Sequence, residues 1–372
     1  MIALLIWAGC VSPEPPPREA STSSDSTPET SSPTAPTEPT DTGTPLPPSN
    51  PCPCADTYDA ESVFWREADP HLGVFYDVPK RDELVVFYQG SKQEPENHRN
   101  LLSTAAYAGF RVLGVQTKST PKPLVECNEN HPEDYDACVA SMHRAKIYGS
   151  EYSDFLAVTD AKSVVGRTHE ALVSMDALFP EDGWGEFFEP LPTGAVDHER
   201  FIHWDRVVIS GFSQGAQKAA VLAIDEAMDG VVVISGPPDD TDWVEAGETP
   251  TCAWWAVHHA DEDWSEYHGF NYDILGFVEP EDLASEPLPE RLCEEAWPPY
   301  DGSHRLASHL DAAPNCTSPD PAHGSMANDV CMNTEAGLPG DPYALFRTYL
   351  YAYCAAGHVD ADPVTGACSP LE

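Results

Sequence analysis

Short apolar runs alternate with amphipathic stretches through most of the chain, and the spacing sets the elements. Glu83–Tyr88 (ELVVFY) is β-branched and aromatic, stops at Gln89-Gly90, and predicts a buried strand. Asn97–Ala108 carries Leu101, Leu102, Ala105, Ala106 and Ala108 at helical spacing and stops at Gly109. Phe110–Gln116 predicts the next strand. His131–Tyr148 and Gly166–Leu178 predict helices. Arg206–Ser210 (RVVIS) predicts a strand that runs straight into a helix over Gln214–Met228. Gly230–Ser235, Ala253–His258 and Arg305–Leu310 are further strands, and Asp341–Ala355 is a closing helix. Strands that alternate with helices and are apolar throughout are buried on both faces. The expected class is therefore α/β, with a mostly parallel central sheet and helices on both faces.

The pattern fails at the N-terminus. Residues 1–9 (MIALLIWAG) are apolar and lead to Cys10. A bilayer span needs about 20 apolar residues, so the run suits a signal-peptide core. Ala8-Gly9-Cys10 is similar to a bacterial lipobox, whose cysteine is acylated. No Lys or Arg precedes the run, and Trp7 stands where leucine is usual. Residues 11–50 are Ser, Thr, Pro and Glu with almost nothing to bury, and such a segment does not recover its ordering entropy. The expected organisation is a signal peptide over 1–10, a disordered linker over 11–50 and one globular domain over 51–372. The expected location is a bacterial outer membrane or cell surface, with the domain exported and tied to the membrane only through a lipid on Cys10. A monomer is expected.

Composition narrows the partners. With 62 acidic and 19 basic residues the formal charge is −43, which repels nucleic-acid phosphates and anionic lipid headgroups. Of 11 cysteines, ten lie beyond Cys10, an even set that suggests disulfides in an exported protein. There is no C-x-x-C pair and no zinc-finger spacing of histidines, so neither metal nor cofactor is expected.

The chemistry centres on Gly211-Phe212-Ser213-Gln214-Gly215. The five residues alone are near chance. Between a strand and a helix they occupy the context of a nucleophile elbow, in which the serine hydroxyl is lifted above the sheet at a helix N-terminus. Serine needs a neutral imidazole to take its proton and a carboxylate to hold that imidazole. In chain order Ser, acid, His, the acid should follow the strand ending at His258, in VHHADED. Asp261 and Asp263 stand there. His258 and His259 with these acids also permit a metal reading. The histidine should come later, from His304, His309, His323 or His358. The oxyanion donors should be the backbone N–H of Gln214 and one from Gly90 or Ser91.

From VVFYQGS, AAYAGFRVLGV, a Cys-x10-Cys pair with Asp134 between and Arg144 beyond, GFSQG, VISGP, VHHAD, SHRL and AHGS, residues 70–355 resemble the α/β-hydrolase superfamily, in particular a group of exported bacterial serine hydrolases. The resemblance implies an α/β-hydrolase fold, here stapled by disulfides. It favours Asp261, where the group's V-H-x-x-D pattern falls; the superfamily's H-G-x-x-D would fall on Asp263. It favours His323, whose His-Gly context matches. The loop Gly90-Ser91-Lys92-Gln93 has fewer glycines than is common there. The implied function is hydrolysis of a small-molecule or polymeric carboxylic ester through an acyl-enzyme on Ser213. The rival readings are a peptidase or polymer-ester depolymerase, and a catalytically silent binding lipoprotein that keeps the fold.

Overall fold

The computed structural model describes residues 62–76, 81–118, 120–192, 201–239, 247–275, 281–282, 304–335, 341–357, 359–361 and 368–370. All lie in the compact unit Pro47–Glu372. Segment 1–10 with Cys10, segment 11–50, Cys52, Cys54, Cys293 and His358 lie outside the described residues.

The strands are β1 (Val63–Ala68), β2 (His71–Tyr76), β3 (Leu84–Tyr88), β4 (Arg111–Val115), β5 (Val207–Phe212), β6 (Gly230–Ile234), β7 (Trp254–His259), β8 (Glu281–Asp282) and β9 (Arg305–Ser308). They form one sheet in the order β1-β2-β4-β3-β5-β6-β7-β9-β8. β2 is antiparallel to both β1 and β4. Every pairing from β4 to β8 is parallel. An antiparallel edge strand followed by the 4-3-5-6-7 order is the α/β-hydrolase arrangement. A small separate pair joins Val359–Ala361 to Cys368–Pro370.

Alternation along each strand feeds two cores. Val85 and Phe87 of β3, with Val208, Val232 and Trp255, pack beneath α1 (Arg99–Tyr107) and α8 (Phe346–Ala356). Val86 and Tyr88, with Ile209, Val231, Val233 and Trp254, pack beneath α4 (Val164–Leu178) and α5 (Gln214–Asp225). Trp254 and Trp255 are thus core residues on opposite faces. Burying such large side chains contributes roughly 2–3 kcal/mol each before chain entropy is counted. Between β4 and α4 lie α2 (Pro123–Asn130) and α3 (Tyr135–Tyr148), clipped together by a disulfide between Cys127 and Cys138. α3 starts later than the periodicity predicts, because Pro132 opens a separate 3-10 turn over 132–134. After β7 come α6 (Ser265–Ile274) and, after β9, the short α7 (Pro321–Ser325).

Candidate active site

Tyr88, Phe212, Ile234 and His259 end neighbouring parallel strands, so the loops that follow them share one edge of the sheet, where ligands meet open α/β sheets. Ser213 stands there between β5 and α5 with φ 56° and ψ −121°. A non-glycine residue in that region is strained and is held only by its surroundings. Ser213 N donates to Ile234 O at 2.9 Å. A Cβ on Gly211 would lie 2.3 Å from the Gly215 carbonyl, and one on Gly215 would lie 1.9 Å from Tyr88 O. The two flanking glycines are therefore what lets the turn close.

The residues expected to supply donors stand at or next to this turn. Gln214 is the first residue of α5, so its N–H has no acceptor within the helix. Its side chain is held away: Nε2 donates to Asp239 Oδ1 at 2.9 Å, and Asp239 N donates to Gln217 Oε1 at 3.0 Å. Gly90 and Ser91 form the turn directly after β3, and a Cβ on Gly90 would meet the Phe212 ring at 3.0 Å. The Gln89 amide pins that turn from behind, donating to Thr117 O at 2.8 Å.

His323 lies on α7 with its ring 4.6 Å from the Phe212 ring, centroid to centroid. Phe212 precedes the serine, so the imidazole, tilted 31° to that ring, lies beside the elbow. Among the described residues the Ser213 hydroxyl makes no hydrogen bond, and such contacts often tighten only when substrate is bound. Gly324 is required behind the ring: a Cβ there would lie 2.8 Å from Ser318 Cβ and 3.0 Å from Cys331 Sγ. A disulfide joins Cys316 to Cys331 around this segment. His98, wholly buried, binds Ala327 O through Nδ1 at 2.7 Å, and Asp329 accepts from Arg99 N and Asn100 N. Burial pushes His98 down to about 4, against the pull of the Ala327 bond.

The acid differs from expectation. His323 Nδ1 is 2.5 Å from Glu262 Oε2, and the Glu262 side chain is fully buried. Neither aspartate reaches the imidazole. Asp261 is 72% exposed and lies 4.0 Å from His259 Nδ1 and 3.9 Å from His309 Nδ1. Asp263 is exposed, and only its backbone is engaged, N donating to Asp320 Oδ2 at 3.1 Å. The physical reason is the turn after β7. His259 N donates back to Glu262 Oε1 at 3.1 Å, which folds the middle residue of Asp261-Glu262-Asp263 inward and both neighbours outward. Burial works against the Glu262 charge, but His268 and His323 outweigh it and hold the carboxyl below the usual range. Asp320 is a second residue the sequence reading passed over. It caps α7, Oδ1 accepting from His323 N at 3.0 Å, while Oδ2 accepts from Asp263 N. One carboxylate thus ties the acid loop to the histidine loop.

His304 stacks on Trp255 at 4.4 Å, and His309 is exposed. The His258–His259 metal reading has no support, because His259 Nε2 meets Leu310 O at 2.9 Å and its Nδ1 accepts from Asp261 N at 3.0 Å. Beneath Gln214 lies a buried polar cluster that periodicity could not reveal. His143 Nε2 is 3.1 Å from Asp239 Oδ2, and Lys218 Nζ donates to Thr117 Oγ1 at 2.7 Å. Burial, then Lys146 and Arg167, bring Lys218 down to about 7.

No protein-family model and no curated protein matches the chain. Solved structures of similar outline include an α/β-superfamily hydrolase from Xanthomonas campestris pv. campestris (10% identity, 73% of this chain and 96% of that one, TM-score 0.29). A sugar hydrolase from Lactococcus lactis is 13% identical over 79% and 95%, with a TM-score of 0.31. Esterase B from Lactobacillus rhamnosis is 11% identical over 69% and 76%, with a TM-score of 0.32. At these scores the fold rests on the strand order and the Ser213 turn rather than on the superpositions.

Proposed function

We propose that this chain is an exported serine hydrolase that cleaves carboxylic esters, with Ser213 as nucleophile, His323 as general base and Glu262 as the carboxylate that orients it. The observation that carries the reading is the strained φ of Ser213 at the end of β5, with His323, paired to the buried Glu262, beside the Phe212 ring. Glu262 accepts only, so it selects the tautomer with hydrogen on Nδ1 and leaves the Nε2 lone pair for the serine proton. Ser213 Oγ attacks the ester carbonyl as Nε2 takes its proton. The oxyanion is met by the N–H of Gln214 and one from Gly90 or Ser91, each worth roughly 3–4 kcal/mol in the transition state. The imidazolium then protonates the leaving alkoxide, and water repeats the sequence on the acyl-enzyme.

The substrate is a small-molecule or polymeric ester. On the same reading the domain is carried on residues 11–50 from a lipid-bearing Cys10 at a bacterial surface. Cys10→Ser should then release the protein from membranes.

The test is covalent labelling by a fluorophosphonate. Wild type should label and Ser213→Ala should not. An unlabelled wild type with its fold intact would favour a silent binding protein and end the hydrolase reading.

A further inference from the structure

Glu262 has a second histidine neighbour that ester hydrolysis does not require. His268, on α6, is wholly buried, and its Nε2 lies 3.5 Å from Glu262 Oε1. Its other nitrogen, Nδ1, lies 3.3 Å from Pro237 O. A carbonyl oxygen only accepts, so in the neutral ring Nδ1 carries the hydrogen and Nε2 presents a lone pair. Among the described residues that Nε2 has no hydrogen-bond partner, and it is aimed at a carboxylate. Two acceptors facing each other away from water need a cation between them, either a proton or a metal ion. The third donor is close. Glu262, His268 and His323 each offer one ligand atom, all within 4.8 Å of one another. Two imidazoles and one carboxylate are a donor set that suits Zn2+.

We infer that Glu262, His268 and His323 form an inhibitory Zn2+ site that switches the serine turn off. The inhibition rests on the proposed hydrolase reading, whereas the binding does not. Side-chain shifts of about 1 Å would bring the three donors to the roughly 2.0–2.2 Å that zinc takes. His323 is 18% exposed and is the face from which an ion and a water ligand would enter. The formal charge of −43 raises the local concentration of dications. Once the ion holds Nδ1 of His323, the hydrogen that stood there moves to Nε2, and the ring keeps one hydrogen throughout. Nε2 then presents an N–H to Ser213 where a lone pair is needed, so the ring no longer accepts the serine proton. Coordination also takes the carboxylate from the imidazole it orients. The ion and the catalytic tautomer therefore exclude each other.

The experiment uses the full chain, stripped of metal by chelation and titrated with ZnCl2 against a chromophoric zinc chelator, with fluorophosphonate labelling followed in parallel. Wild type should bind one tight ion, lose labelling as it fills and recover with EDTA. His268→Gln and His268→Asn should lose that ion, weakening it by at least about tenfold. The labelling of each, compared with its own metal-free state, should be insensitive to zinc. Co2+ in wild type should give the visible bands of a low-coordinate nitrogen-oxygen site, a readout independent of any variant. A wild type that binds no tight ion and gives no cobalt bands overturns the site. So does a tight ion that survives both substitutions. Zinc bound at His268 in a chain that never labels would keep the site and overturn the hydrolase reading instead.

Discussion

His323 and Glu262 meet at 2.5 Å through Nδ1 and Oε2, 61 positions apart in sequence, with the carboxylate wholly buried between two exposed aspartates. A buried carboxylate orients an imidazole better than an exposed one, because little water competes for its lone pairs. Glu262→Gln keeps the shape but can stabilise the wrong tautomer. On a p-nitrophenyl ester it should lower kcat by roughly 10^3–10^4. Asp261→Asn and Asp263→Asn should leave kcat nearly unchanged, since neither side chain touches the ring. A loss in Asp261→Asn equal to that in Glu262→Gln would refute the assignment.

Asp320 bonds the backbone of both loops that supply these residues, so its removal should loosen the pair without touching substrate. Asp320→Ala deletes an N-cap, which is worth about 1 kcal/mol of stability. The expected signature is a fall in kcat with KM little changed and a small drop in Tm. Asp320→Asn, which keeps an accepting oxygen for the cap, should restore part of both. A KM effect larger than the kcat effect would place Asp320 in the substrate pocket instead.

The scaffold was legible because burial writes itself into periodicity. Every predicted strand from Glu83 onward appears within about two residues of its expected ends, and the Ser213 turn sits where strand meets helix. The β1–β2 hairpin escaped, because VFWREA mixes polar and apolar residues without a strong period and HLGVFY is a short apolar run broken by Gly73. α7 escaped because five residues carry no period. The carboxylate that meets His323 was not legible for a different reason. Pattern offered Asp261 and Asp263, while the choice was made by a backbone bond from His259 N to Glu262 Oε1, a tertiary detail of one turn. His268 and Asp320 were unreadable on the same ground: each matters for what it faces across loops far apart in sequence.

Three of the buried histidines pull stability down in acid, against Asp229 and Asp329, whose carboxyls burial raises to about 7 and about 6 and which favour the folded state as pH falls. Burial brings His71, His98 and His258 down to about 4. In the unfolded chain these histidines titrate near 6.5. At these rings the unfolded state binds more protons between those values, so their contribution is intact above about pH 6.5 and is lost as pH falls toward 4. Each histidine steepens the fall by up to about 1.4 kcal/mol per pH unit. Urea unfolding at stepped pH should show this slope, and His98→Phe should lessen it. An identical slope in His98→Phe and wild type would mean that the His98 ring is hydrated or partnered in the folded chain.

The disulfide between Cys316 and Cys331 should matter more to activity than to the fold. It closes a 15-residue separation, for which chain entropy gives roughly 3 kcal/mol of stabilisation. The enclosed segment carries Asp320, His323 and Gly324, and Gly324 packs against Cys331 Sγ itself. Its far end stays tied to α1 by the Asp329 bonds to Arg99 N and Asn100 N and by His98 on Ala327 O. None of these restrains the stretch between Cys316 and Asp320. Removing the cross-link leaves the entry to α7 held by the Asp320 bond to Asp263 N and by the backbone bonds through Ala313, while its exit keeps its several anchors, so the imidazole should drift from Glu262 before the sheet melts. Cys316→Ala/Cys331→Ala should therefore lose most of its fluorophosphonate labelling at a temperature where circular dichroism still reports native structure. Labelling and ellipticity that fall together on heating, as in wild type, would show that the cross-link supports the fold as a whole and not the histidine in particular.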